Sequence, residues 1–283
     1  MYKVKLCLSL SDSFGLDGAD QIRLFKEIGF DGFFSLYTPR IPEYKKLADE
    51  LGMIYQSVHA PFVDVHHLWQ KSDKTEVALK EQLDCVRACA ENGINIMVCH
   101  AIIGFDRHSP CEMGIELFRK VVEEGARLGV KIAFENTEGS EYLEALMNAF
   151  KDYDNVGFCL DTGHELCYNR GEDMLKLYGD RLIATHINDN LGVRSYEGVI
   201  TYLDDLHLLP YDGIGDFDKL GERLAKVGFE GPLTFELTRA NKPGRKNLDK
   251  YNKISTEEYL NEAYARACRV GWFFSKAVNE RNT

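Results

Sequence analysis

The sequence predicts an α/β protein built as a closed (β/α)8 barrel. Three observations carry this. Eight short β-type runs alternate along the whole chain with amphipathic helical stretches. Most of the runs are continuously apolar, as parallel strands buried on both faces must be. No G-x-G-x-x-G follows the first run, which argues against an open dinucleotide-binding sheet. The 283 residues somewhat exceed the roughly 250 typical of such a barrel. No low-complexity tract or Pro/Gly/Ser-rich linker divides the chain, so residues 1–283 read as a single barrel domain.

Taken in order, the predicted strands are Val4–Leu10, Gly32–Leu36, Ile54–His59, Ile96–His100, Lys131–Glu135, Gly157–Asp161, Ile183–His186 and Leu233–Glu236. The helices between and after them are predicted over Asp20–Ile28, Pro42–Leu51, Thr75–Glu91, Cys111–Leu128, Glu141–Phe150, Glu172–Tyr178, Asp216–Val227 and Ser255–Lys276. Glycines 29, 52, 93, 129 and 228 stand where a helix must stop. Ser255-Thr-Glu-Glu258 is a capping-box pattern that opens the last helix.

Composition narrows the functional classes. The chain is 45% hydrophobic and 28% charged, as soluble globular proteins are. A net charge of −11 disfavours a simple electrostatic grip on nucleic acid. The apolar run Leu6–Leu10 is too short for a signal-peptide core, and no stretch approaches a membrane-spanning length. The eight cysteines include no C-x-x-C pair. Cys85 and Cys89, four apart on a helix, read as a packed face. Reduced cysteines and a cytoplasmic location are the expectation.

The chemistry lies where the strands end. In a barrel of this kind active sites form at the C-terminal face. Strand three ends in Ser57-Val-His59-Ala-Pro-Phe62 and strand four in Val98-Cys-His100. Strand five ends in Glu135-Asn-Thr137, strand six in Asp161-Thr-Gly-His164 and strand seven in His186-Ile-Asn-Asp189. Strand eight ends in Thr234-Phe-Glu236, and the loop before it carries Asp205-Leu-His207. A lone strand-end His is more often a hydrogen-bonded rim residue than a ligand, and a lone Glu often just pairs with a Lys or Arg. Recurrence over six consecutive strands changes the odds. Carboxylates gathered in one mouth repel unless a cation neutralises them. A mixed carboxylate and imidazole set suits Mn²⁺, Zn²⁺, Co²⁺ or Fe²⁺. His66, His67 and His108 read as solvated loop residues.

From strand three to strand eight, the motifs His59-Ala-Pro-Phe, Glu135-Asn-Thr, Leu160-Asp-Thr-Gly-His164 and His186-Ile-Asn-Asp resemble the xylose isomerase-like barrel superfamily. That group holds sugar and sugar-phosphate isomerases and epimerases, inosose dehydratases, hydroxypyruvate isomerases and the endonuclease IV class. The resemblance implies a metal on Glu135, Asp161, His186 and Glu236, with Glu135 and Glu236 doubling as acid and base through an enediolate. The cofactor it implies is a divalent ion: zinc, manganese, cobalt or magnesium. In the endonuclease IV branch three zinc ions are bound, and its further ligands match His59 and His100 for one ion and His164, Asp205 and His207 for another. In sugar-converting members such residues line the pocket and bind substrate oxygens.

Two features favour the sugar branch. The segment Asp205–Asp218 is similar to that branch's D-x-H-x-x-P-G-x-G-x-x-D pattern, with Tyr211 and Asp212 in place of the usual residues. And no basic, aromatic-bearing loop suited to opening a duplex stands out, Lys71, Lys74 and His66–Trp69 being the nearest. The E-x-D-R-G stretch of ketose 3-epimerases is replaced by Asn188-Asp-Asn-Leu-Gly, and the E-P-x-N of hydroxypyruvate isomerases is absent. The expectation is a metal-dependent sugar or sugar-phosphate isomerase or epimerase. Its rivals are a trinuclear zinc phosphodiesterase acting on abasic DNA, a cyclitol dehydratase and a non-catalytic sugar-binding barrel. The expected partner is a small-molecule sugar or sugar phosphate, with no membrane, with nucleic acid disfavoured and with room for a homo-oligomer. Arg107, Arg194, Arg239 and Lys242 fall in loops on the same face, where one could hold a phosphate.

Overall fold

The computed structural model describes residues 3–105, 109–193 and 199–281. Strands and helices alternate as β1 (Leu6–Ser9), α1 (Gly18–Ile28), β2 (Gly32–Leu36), α2 (Ile41–Leu51), β3 (Ile54–His59), α3 (Thr75–Glu91), β4 (Ile96–His100), α4 (Glu112–Leu128), β5 (Lys131–Glu135) and α5 (Ser140–Ala149). They continue as β6 (Val156–Asp161), α6 (Thr162–Leu166), α7 (Met174–Tyr178), β7 (Leu182–His186), α8 (Phe217–Lys226), β8 (Leu233–Phe235) and α9 (Thr256–Arg281). All eight predicted strands form. The strands make one sheet in the order β7-β6-β5-β4-β3-β2-β1-β8. Ile187, just past β7, bridges Phe235 in parallel, so the ends of the sheet meet and the barrel closes.

Differences at the element ends have local causes. β8 stops at Phe235, because the Glu236 carbonyl turns to His207 Nδ1 at 3.3 Å. α9 runs on to Arg281, whose guanidinium donates to the Ala225 carbonyl at 2.7 Å and ties the helix end to α8. The short helix α6 lies within a stretch the sequence reading treated only as a strand end. Its cap is Asp161, whose Oδ1 accepts the His164 N–H at 2.7 Å. The predicted capping box forms, Ser255 and Glu258 exchanging bonds of 2.7 and 3.1 Å. Cys85 and Cys89 are buried on α3, as expected.

Register explains why the strand ends share one site. In parallel strands, paired residues point the same way. His100 pairs with Glu135, Glu135 with Cys159, and Asp161 with His186. His59 pairs with Val98, two residues below His100. Each step shifts the strands in the stagger that barrel closure requires. All of these side chains therefore point into the barrel.

Two residues below four of these polar groups, and so on the same face, lie Val98, Ala133, Cys159 and Ala184. They form a small apolar cluster of their own, fully buried and distinct from the main core outside the sheet. This layer is a dry floor made of small side chains, and larger ones would lift the polar layer above. Ala133→Leu should therefore cost about 1–3 kcal/mol through overpacking. Urea unfolding checks this, and an unchanged midpoint would mean the floor has room to spare.

Candidate metal centre

The centre is built around Glu135 at the end of β5, whose side chain is 0% exposed. Its Oε1 lies 2.8 Å from His186 Nδ1. Its Oε2 lies 3.2 Å from both His59 Nε2 and His100 Nε2. His186 Nδ1 is also 3.1 Å from Glu236 Oε2. A ring nitrogen carries at most one hydrogen, so it cannot satisfy two carboxylate oxygens at once. A cation shared among them would, and the donor set of three carboxylates and one imidazole fits such a cation chemically.

Ligand atoms of Glu135, Asp161, His186 and Glu236 all lie within 4.8 Å of one another. The same holds for His59, His100 and Glu135, and for His164, Asp205 and His207. A further set joins Glu135 and His186 to Cys159, which the sequence reading had not picked out. Every residue the sequence singled out as ligand or pocket lining thus converges on one mouth, in three adjoining clusters. In the third, Asp205 Oδ2 is 2.8 Å from His207 Nε2, while the buried Oδ1 has no hydrogen-bond partner.

Charge is unevenly shared. Burial pushes Glu135 up, but His186, His100 and His59 outweigh it and hold the carboxyl well below the usual range. Glu236 is likewise pushed up by burial but drawn down to about 2 by His186 and His207. Asp161, where burial dominates, is raised to about 6. His164 and His186 are destabilised as cations by burial, yet Asp161 and Asp205 for the first, and Cys159, Glu135 and Glu236 for the second, raise both well above an ordinary imidazole. His207 rises to about 9 because Asp205 and Glu236 override its burial.

Several supporting residues were missed by the sequence reading. Asn188 Nδ2 donates to Asp161 Oδ2 at 2.9 Å. Asn136 brackets the Asp161 backbone, donating to its carbonyl at 2.8 Å and accepting its N–H at 2.7 Å. Gly163 is required because a Cβ there would stand 1.9 Å from Asn188 Oδ1. Phe34 stacks on the His186 ring at 4.4 Å. Asp189 accepts the N–H groups of Gly213 and Gly215 at 2.7 and 2.9 Å and so ties down the loop that carries Asp205 and His207. Apart from Phe34, these residues were visible inside the quoted motifs, but a motif does not say which letter holds which.

In that loop, Tyr211, one of the two residues in place of the usual ones, has a left-handed backbone φ of 72°. The Arg269 guanidinium lies 4.1 Å over its ring, and its hydroxyl donates to Asp218 at 3.1 Å. His207 is also left-handed, at φ 48°. Strain of this kind persists where surrounding structure imposes it.

Some expectations need correction. His66 and His67 are half-buried in a 3-10 turn over Val65–Trp69 rather than solvated, because Val65, Leu68 and Trp69 anchor that turn in the core. Trp69 donates to the Ala101 carbonyl at 2.6 Å, so it is no exposed wedge. Arg239 is a buried brace that donates to the carbonyls of Tyr251 and Ile254 at 2.8 and 2.6 Å, and no free phosphate hook. Lys242 does face the mouth, 3.3 Å from Asp205 Oδ2. Arg107, Arg194 and His108 lie outside the described residues.

Two outcomes are expected. Because the raised His186 imidazole must give up its proton to bind metal, titration with Zn²⁺ should release protons and tighten as pH rises above the ordinary imidazole range. Calorimetry in buffers of different ionisation heat measures the release. Asn188→Ala should weaken metal binding about 10–100-fold by freeing Asp161. An unchanged metal titration would refute that role.

Comparison with known proteins agrees with this architecture. Residues 18–257 match the family model described as xylose isomerase-like TIM barrel. An uncharacterized protein, y4fM of Sinorhizobium fredii, is 32% identical over 218 residues, 72% of this chain. The match spans 62% of that relative's length. Among solved structures, the IOLI protein with a zinc atom superposes with a TM-score of 0.74 at 20% identity, covering 96% of this chain and 99% of that one. D-psicose 3-epimerase from Clostridium cellulolyticum H10 superposes at 0.71 and 18% identity, covering 97% and 99%. Among the described residues no helix is long and apolar enough to cross a membrane. The chain belongs to the xylose isomerase-like TIM-barrel family.

Proposed function

We propose that this protein is a divalent-metal-dependent enzyme of the isomerase or epimerase kind, acting on an uncharged sugar. The observation that carries this is the position of Glu236. It joins the four-residue cluster to a cleft of about 730 Å³ that opens between the ends of β1, β2 and β8. That volume lies in the range of small-molecule sites. His207 lines the same cleft.

The cleft's chemistry supports a polyhydroxy substrate. Ser11, Ser13, Thr38, Thr238 and Asn241 line it with hydroxyl and amide groups. Its cations are already engaged: Arg40 forks between Asp17 and Glu43, and Lys242 and His207 both face Asp205. Asp12, Asp17 and Glu236 add negative charge. A phosphate dianion would meet repulsion there and, among the described residues, no uncommitted cation.

Glu135, Asp161, His186 and Glu236 would hold the ion, which when bound polarises a sugar carbonyl and lowers the barrier to losing the neighbouring proton. Glu236 moves that proton, while His207 and Lys242 orient substrate oxygens from the cleft wall. The solved structures of this fold that are sugar epimerases support the same class.

A second reading has its own observation. Three adjoining ligand clusters are what a trinuclear phosphodiesterase would need. Lys242, 3.3 Å from Asp205, already supplies the third cluster with a positive charge and weighs against a third ion. Metal counting separates the two: one ion per chain favours the sugar enzyme, and three favour the phosphodiesterase.

Ketoses, cyclitols and their phosphates, screened in D₂O with added Zn²⁺, Mn²⁺, Co²⁺ or Mg²⁺, should show deuterium uptake at carbon for an unphosphorylated member. Glu236→Gln should lower that exchange about 10²–10⁴-fold. Exchange confined to phosphorylated sugars would overturn the substrate assignment.

A further inference from the structure

We infer that the cleft has an outer subsite for a second sugar ring, so that the substrate is an extended saccharide. The reacting sugar lies at the Glu236 end, and a glycosidic bond joins it to a ring that rests against Leu16, beside the first turns of α1 and α2. This rests on the sugar-converting reading above and adds the size and the second half of the substrate. The cleft is larger than one sugar needs. It measures about 730 Å³, whereas a single hexose fills roughly 200 Å³ at close packing. Its walls run from Glu236 and His207 to Asp17, Gly18 and Arg40, where α1 and α2 begin. A monosaccharide held at Glu236 leaves that far end unused.

The chemistry of the wall suits a sugar ring. A pyranose carries hydroxyls around its edge and C–H groups on its faces, so it needs polar groups set beside apolar ones. Leu36 pairs with His59 and therefore points into the mouth with it. It is nevertheless 50% exposed, and Leu16, on the loop between β1 and α1, is 38% exposed. Both line the cleft, together with the Asp12 carboxylate, the Thr38 hydroxyl and Tyr44. An alkyl tail would cover the leucines but press on these polar groups without bonding to them. A second ring offers C–H faces to the first set and hydroxyls to the other.

This outer wall is held in place before anything binds. Gln21, 2% exposed, braces the loop that carries Leu16. Its Nε2 donates to the Ser11 and Leu16 carbonyls at 3.0 and 2.9 Å, and its Oε1 accepts the Ser11 N–H at 2.9 Å. Arg40 clamps the same loop to the start of α2, donating to both oxygens of Asp17 at 2.5 and 3.0 Å. Its guanidinium also lies 4.9 Å over the Tyr44 ring. Gly18 lets α1 begin against Tyr44, since a Cβ there would strike the Tyr44 hydroxyl. A wall fixed in this way costs little to order when a ligand arrives. Leu16, Gln21, Leu36 and Arg40 belong to none of the three ligand clusters, so the subsite does not depend on how many ions the mouth holds.

The test extends the deuterium screen to disaccharides, beside the monosaccharides they contain, with calorimetric binding of the same sugars and of phenyl β-D-glucoside. Metal-loaded wild-type protein and Leu16→Asp are compared. The best disaccharide should exchange with a kcat/KM at least about tenfold above that of its reacting monosaccharide, as contacts remote from the reacting carbon allow. Leu16→Asp should bring that ratio below about threefold, and a ratio within one variant is unaffected by how much of the protein is folded. A monosaccharide that exchanges as well as every disaccharide overturns the outer subsite and leaves the sugar-converting reading standing. So does a ratio that Leu16→Asp leaves intact. Phenyl β-D-glucoside binding more tightly than every disaccharide overturns the second sugar in favour of an apolar group. If no sugar exchanges but disaccharides bind and Leu16→Asp weakens them, the converting reading falls and the subsite stands. If none exchanges and none binds, both fall.

Discussion

The mouth of the barrel depends on one buried carboxylate and the three imidazoles that engage it. Glu135 sits without solvent above a floor of Val98, Ala133, Cys159 and Ala184. A charge in such a place is tolerated only when paired and hydrogen-bonded. His186 on one oxygen, and His59 and His100 on the other, meet that demand from three different strands. The barrel's stagger must therefore hold these strand ends at matching heights. The second carboxylate layer follows from this. Asp161 stands level with His186 and is fixed by Asn136 and Asn188, so that four ligand atoms point at one place.

That arrangement shows why the bland readings of single residues fail together. A strand-end His with a backbone partner would be ordinary, and His59 does have one, its Nδ1 lying 2.8 Å from the Ala60 carbonyl. Its other nitrogen, however, faces Glu135 and His100. The backbone contact orients the ring and leaves Nε2 for the site, as ligand histidines are commonly oriented. His164 repeats the pattern, with Nδ1 at 2.9 Å from the Asn136 carbonyl and Nε2 turned toward Asp205.

Much of this was legible in the sequence. The eight-strand alternation and the strand-end series from His59 to Glu236 follow from periodicity and from where polar residues interrupt apolar runs. α6 was not legible, because a five-residue helix shows less than two turns of period. Here a single cap, Asp161, decides it. The roles of Asn136, Asn188 and Gly163 were hidden for another reason. Each is defined by a partner more than twenty residues away, and spacing along one chain carries no such information. Arg239 looked like a loop cation, but three bonds to the segment Tyr251–Thr256 make it a brace between β8 and α9.

The least legible part is the cleft. The strand-end ligands come from β3 through β8, yet the cleft is walled largely by residues that follow β1 and β2, where the sequence has serines and threonines of no fixed spacing. Metal ligands must meet within one coordination sphere, so they mark the chain with His, Asp and Glu at fixed strand ends. A substrate wall needs only hydroxyls and shape, which many sequences supply. The two halves of the mouth therefore answer to different constraints. Glu236 belongs to both: β8 pairs with β1 and, through the Ile187 bridge, adjoins β7. The closing strand carries the one carboxylate of the four-residue cluster that opens on the cleft, so closure of the barrel is what brings a molecule in that cleft within reach of the cluster.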